Sequence, residues 1–233
     1  MSPETRFHQT AVSLTIILMF ALMKMVNQIP YSSISAISIY LNNIFVQLSL
    51  WVIGSVTAYS WISRGLLVLI SHIQPVRRIL LGPAFIEGTW VGWFKGHSDK
   101  TRYLVEIYEQ SLSEITMRGY AYDSAGREHS VWNTRTTRLD VKNGIFCYTY
   151  TVAVVDDPKV RDGLCEYQLF RSHDYSTPNE MAGYTIDLHD PTRLYIREYK
   201  VSNRGLSKSE ARAQLMRLIR DDKIPGEGCF IAK

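Results

Sequence analysis

Acidic residues are almost missing from the first third of this 233-residue sequence. Glu4 is the single Asp or Glu before Leu81, against five bases: Arg6, Lys24, Arg64, Arg77 and Arg78. Formal charge of either sign is missing over 39 consecutive residues, 25–63, which excludes an ordinary solvated domain there. Cysteine is scarce, with only Cys147, Cys165 and Cys229. An odd number without metal-ligand spacing excludes a disulfide-stapled scaffold and agrees with a reducing compartment. The motifs G-x-S-x-G, H-E-x-x-H, Walker A, C-x-x-C and the Rossmann glycine pattern are all missing, so no enzyme is expected. Bulk charge is missing from the remainder, where residues 81–233 hold 21 acids and 21 bases. The net charge of +4 and the pI near 8.9 therefore report the flanks of an apolar segment. They give no basic surface for a DNA or RNA polymer.

What is present first is a membrane module, residues 1–80. Residues 7–26 and 44–62 form two apolar stretches, and roughly 20 residues span the hydrocarbon core as a helix. Pro30 and the surrounding Asn and Ser residues mark the connection. Tyr59 and Trp61 stand where an interfacial aromatic belt is expected. Gln47, Ser49, Ser55 and Thr57 are polar groups suited to helix association. A cleaved signal peptide fits less well, because no A-x-A site follows the first apolar stretch. Bases lie before the first helix and after the second, so the positive-inside rule places both termini in the cytoplasm. The apolar pattern continues beyond Arg64 to Pro75, as an extension of the second helix would require.

Residues 84–202 change to aromatic and β-branched residues with turn signals at regular spacing. Strands are expected near 86–95, 102–109, 113–123, 128–139, 144–154, 164–172, 181–188 and 193–201. The breaks HSDK, EQ, SAG, KNG, DDPKVRDG, STPN and HDPT carry turn chemistry. Eight short strands joined by hairpins suggest an all-β, up-and-down antiparallel barrel, with a sandwich as the alternative. Phe146, Tyr148, Tyr150 and Val152 share one side of their strand. Arg193, Tyr195, Arg197 and Tyr199 share one side of the last. Residues 203–233 form a C-terminal amphipathic helix and tail packing on the barrel, opened by the Ser207…Glu210 capping box.

The chemistry on offer is binding chemistry. His97 with Asp99, His173 with Asp174, and His189 with Asp190 fall at turns, as do Asp156 and Asp157. Tryptophans and tyrosines are interleaved with arginines, and such groups stack on bases and grip phosphates. Trp90, Trp132, Tyr148 and Tyr150 are the candidate stacking or pocket-lining groups, and Arg118, Arg171 and Arg197 the candidate phosphate ligands. A neutral barrel with a few arginines suits a small anion better than a polymer.

Gly88-Thr89-Trp90 is similar to the G-x-W opening of lipocalins. A larger constellation comprises two apolar helices, ILLGP at 79–83 and IEGTWVGWF at 86–94. It continues with Val131-Trp132-Asn133, Tyr148-Thr149-Tyr150 and Met181-Ala182-Gly183-Tyr184. With it the chain resembles the two-transmembrane, β-strand-rich effectors associated with CD-NTases in bacterial CBASS antiphage defence. That resemblance implies an inner-membrane protein whose cytoplasmic barrel binds a cyclic dinucleotide made by a CD-NTase. Binding would then drive homo-oligomerisation and disruption of the bilayer, with no cofactor beyond the activating ligand. HDPTRL stands where a glycine hairpin would be expected, and no binding position is carried over from it. The rival expectations are a membrane-tethered lipocalin-like binder of a lipid and an envelope adaptor with a filled barrel.

Overall fold

A computed structural model describes residues 3–28, 44–96, 100–155, 157–221 and 224. The chain divides into two compact units, residues 2–80 and 81–233. In the first unit, α1 (Pro3–Asn27) packs against α2 (Ile44–His72). Ile16, Phe20, Val52 and Val56 stay exposed along them. Both helices are long and apolar enough to cross a membrane, over Glu4–Val26 and Phe45–His72. His8 Nδ1 and Tyr59 OH meet between them at 2.8 Å. Ser55 and Thr57 donate instead to Trp51 and Ile53 carbonyls of their own helix. Their hydroxyl protons are thus satisfied within their own helix.

The second helix runs on to His72 because no breaker precedes Pro75. Pro75 is then the second residue of α3 (Gln74–Leu81), where a missing N–H costs nothing. The guanidinium of Arg77 turns back to the Ile70 and Ser71 carbonyls, at 2.8 and 3.2 Å, and caps the end of α2.

The second unit begins with a short 3₁₀ turn, Gly82–Ala84. Eight strands follow: β1 (Gly88–Lys95), β2 (Thr101–Gln110), β3 (Ile115–Tyr122), β4 (Glu128–Asp140), β5 (Ile145–Val154), β6 (Asp157–Phe170), β7 (Glu180–Asp187) and β8 (Asp190–Ser202). Each pairs antiparallel with the next, and β8 pairs with β1, so the sheet is a closed up-and-down barrel and not a sandwich. β6 starts well before residue 164. A bulge between Ala153 and Val154 absorbs the Asp-Pro step that reads as a turn.

The last helix, α4 (Lys208–Arg220), has the expected capping box. It lies on the outer barrel face, where Ala211 and Leu215 pack with Val91, Trp93, Val105, Tyr120 and Tyr122. Thr89 fixes its approach by donating to the Arg204 carbonyl and accepting from the Leu206 amide, at 3.0 and 2.9 Å. Ser207→Ala should cost about 1 kcal/mol through the lost cap. Urea unfolding followed by tryptophan emission would read that loss, and an unchanged midpoint would contradict it.

Candidate functional site

Strand alternation puts a layered set of side chains inside the barrel. At the end where the 3₁₀ turn enters, Phe85, Ile86 and Trp90 are fully buried. Trp90 Nε1 donates to the Ile86 carbonyl at 2.8 Å. The Gln110 amide stitches this plug by donating to the Ala84 carbonyl and accepting from the Ile86 amide, at 2.8 and 2.9 Å. Arg171 donates to the Pro83 carbonyl at 3.1 Å. This end is closed.

The middle layer holds two fully buried carboxyls, Glu106 of β2 and Glu198 of β8. Between them runs Gly92 of β1, where an added Cβ would stand 2.7 Å from Glu198 Cγ. The bare backbone there lets the two carboxyls meet. Glu106 Oε1 accepts from Trp132 Nε1 at 3.0 Å and from Tyr148 OH at 2.7 Å. Its Oε2 accepts from Tyr108, and Glu198 Oε1 accepts from Tyr167. Glu198 Oε2 meets no donor, and the Glu106 and Glu198 carboxyls are close neighbours. Two acceptors in that arrangement need one shared proton. Burial raises both carboxyls above the ordinary value, while three donors pull Glu106 back and only Tyr167 does so for Glu198. Glu198 is therefore the proton carrier of the pair. None of the groups favouring either anion is a lysine or arginine.

Above this layer, toward the opposite mouth, lies a cavity of about 140 Å³. Glu106 forms its deep end, and Phe94, Trp132, Tyr148 and Tyr150 form walls. Trp132 reaches in because Gly119 of the neighbouring strand has no side chain: a Cβ there would lie 2.1 Å from the indole Cε2. Tyr150 OH pairs with Thr185 Oγ1 at 2.6 Å, and burial pushes its phenol up to about 12. Arg161 sits at the rim, ion-paired with Asp157 at 2.7 Å and Asp187 at 3.4 Å.

Beside the rim, the β1–β2 and β3–β4 hairpin ends enclose an open groove of about 660 Å³. Lys100, Arg102, Arg127 and His129 line it, with Asp123 and Glu128 as the acids. Both acids are already engaged, Asp123 with Arg127 at 2.8 Å and Glu128 with Lys208 at 2.5 Å. Lys100 and Arg102 have no ion-pair partner among the described residues. The groove is the natural landing place for an anion at this end.

The seven residues singled out in the sequence do not converge. Trp132, Tyr148 and Tyr150 line the cavity. Trp90 is in the plug below the carboxyl pair. Arg118 and Arg197 lie on the outer face, Arg118 bonded to Asn133 at 3.3 Å and Arg197 to Glu180 at 2.7 Å. Arg171 is at the closed end. Neighbours of opposite parity, Met117 and Ile196, fill the interior instead. His173 and His189 sit in turns held by Ser176 and Asp187. His97, Asp99, Asp156 and Cys229 lie outside the described residues.

No protein-family model, curated protein or solved structure matches this chain. Its own geometry carries the functional reading.

Sequence reasoning passed over Lys100, Arg102, Arg127 and His129. The available signal was topological. In an up-and-down meander alternate hairpins share one end, so Lys100 and Arg102 had to lie beside the SAGREH turn.

Proposed function

We propose that the chain is a membrane-anchored receptor and effector of CBASS type, whose barrel takes a cyclic dinucleotide at its open mouth. The observation that carries this reading is the groove of about 660 Å³ with Lys100 and Arg102 unengaged by acids among the described residues. Pockets for molecules of that size run about 300–1,000 Å³. Guanidinium and ammonium groups supply what two phosphodiesters need. The inner cavity, at about 140 Å³, matches roughly the 150 Å³ that holds one benzene. A cyclic dinucleotide does not fit there, and neither does a fatty acid, whose carboxylate would also face Glu106. That volume supports the receptor reading over the constitutive lipid-carrier alternative.

In this reading the two apolar helices lie in the bacterial inner membrane with both termini cytoplasmic. The ligand bridges or reshapes a contact between barrels, because it shifts an assembly equilibrium only by binding the assembled state more tightly. Clustering of the helices then disrupts the bilayer.

The test uses the full chain in maltoside micelles, screened by thermal shift against a panel of cyclic dinucleotides and fatty acids. Saturable stabilisation by one cyclic dinucleotide is expected, with affinity falling at least about tenfold in Arg102→Ala, the loss of one charge-assisted contact. No shift across the cyclic-dinucleotide panel, or unchanged affinity in Arg102→Ala, would overturn the site. A folded, inserted protein that spares cells making its cognate nucleotide would overturn the membrane step.

A further inference from the structure

The inner cavity has a chemistry opposite to that of the groove. Its deep carboxyl pair accepts from Tyr108, Trp132, Tyr148 and Tyr167, and among the described residues no lysine or arginine bonds to either member. At the rim, Arg161 is matched by two aspartates, Asp157 and Asp187. Lys200 points into the interior, but its ammonium lies over the rings of Phe85 and Trp90, at 4.6 and 5.3 Å, on the closed side. The deep end of the cavity therefore presents carboxyl oxygens, which repel a phosphate.

Glu106 also lacks lone pairs to offer. Trp132 and Tyr148 occupy Oε1, Tyr108 occupies Oε2, and Glu198 is a further neighbour of the same carboxyl. A carboxylate has about four acceptor positions, so an ammonium with N–H groups would find its donors unmatched. A cation without N–H groups meets no such cost. It needs electron-rich surroundings without a demand for acceptors, and Phe94, Trp132, Tyr148 and Tyr150 stand in the walls beside aliphatic neighbours such as Val152 and Ile196. Aromatic rings attract such cations through their quadrupoles, by about 0.5–2 kcal/mol each according to desolvation. A trimethylammonium group, somewhat smaller than the benzene that a roughly 150 Å³ cavity accommodates, fills this space.

From this arrangement we propose that the inner cavity is a binding site for a quaternary ammonium group, seated in an aromatic cage above the Glu106–Glu198 pair. This site is separate from the mouth groove. The two share only His129 among their lining residues, and the cage stands whether or not the groove takes a cyclic dinucleotide.

Choline and its neutral isostere 3,3-dimethylbutan-1-ol are titrated calorimetrically into the full chain in maltoside, which carries no choline head group. The expected result is saturable choline binding at least about tenfold tighter than the isostere, the value of one good cation–π and charge contribution. Glu106→Gln should abolish that preference while leaving the alcohol's weak binding. Equal affinity for the two ligands in the wild-type chain overturns the proposal, as does absence of saturable choline binding. The wild-type comparison decides even if Glu106→Gln fails to fold. Because the probe contains no phosphate, a failed cyclic-dinucleotide screen leaves this outcome unaffected, and the converse also holds.

Discussion

Glu106→Leu should lower the stability of the barrel by on the order of 5 kcal/mol. The substitution removes the acceptor for three buried donors, Tyr108 OH, Trp132 Nε1 and Tyr148 OH. Each buried donor left without a partner costs about 1–3 kcal/mol. Burying a leucine returns part of that, about 1.5–3 kcal/mol at most. It also leaves Glu198 without the neighbour that shares its proton. Domains of this size are stable by only about 5–15 kcal/mol, so the variant sits near the edge of folding. Circular dichroism and urea titration of the full chain check this. A Glu106→Leu protein as stable as wild type would show that the network contributes nothing, and Glu106→Gln, which keeps one acceptor oxygen, should fall between the two.

The second large effect is in pH dependence. Both carboxyls titrate above their ordinary value in the folded barrel, chiefly through burial. Near and below the ordinary carboxylate range the folded and unfolded chains both hold these protons, and no penalty arises. Above it the unfolded chain releases them while the folded pair retains at least one. Folding then takes up a proton, and stability falls as pH rises toward the folded values, by about 1.4 kcal/mol per pH unit for one proton. Wild-type unfolding free energy should therefore decline as pH rises above the ordinary carboxylate range. Glu198→Gln should flatten that decline, because its amide donates permanently to Glu106 and still accepts from Tyr167. Urea midpoints across that rise in pH measure both slopes. Parallel profiles for the two proteins would exclude the shared proton. The half-buried carboxylates with lowered values, Asp123, Asp140 and Asp157, act in the opposite sense at lower pH.

The barrel itself was legible because period-two alternation and turn chemistry repeat eight times. Phe146, Tyr148, Tyr150 and Val152 share the inner face as their spacing implies. β2 was harder, because α4 covers its outer side and both faces are buried. Alternation then has no polar face to contrast with, and Glu106 reads as one more polar residue. Glu198 is masked by its neighbours Arg197 and Tyr199, which make the outer face of β8 look like the binding one. Gly92 and Gly119 carry no periodicity at all, yet their missing side chains admit Glu198 and Trp132. The groove was illegible for a different reason: Lys100 and Arg102 come from one hairpin, Arg127 and His129 from another, and they meet only once the meander closes.

Closure has a further consequence for how copies of this chain associate. Every strand already has two hydrogen-bonded neighbours, since β8 returns to β1. Along the paired segments no row of free amides and carbonyls is left to template a strand from another molecule, while segments such as 134–140 of β4 and 157–162 of β6 run past a neighbour. Amyloid-like growth through the closed part of the sheet therefore requires the barrel to open first. Complexes built from intact barrels are held by side chains and apolar helices, contacts that detergent or dilution can reverse.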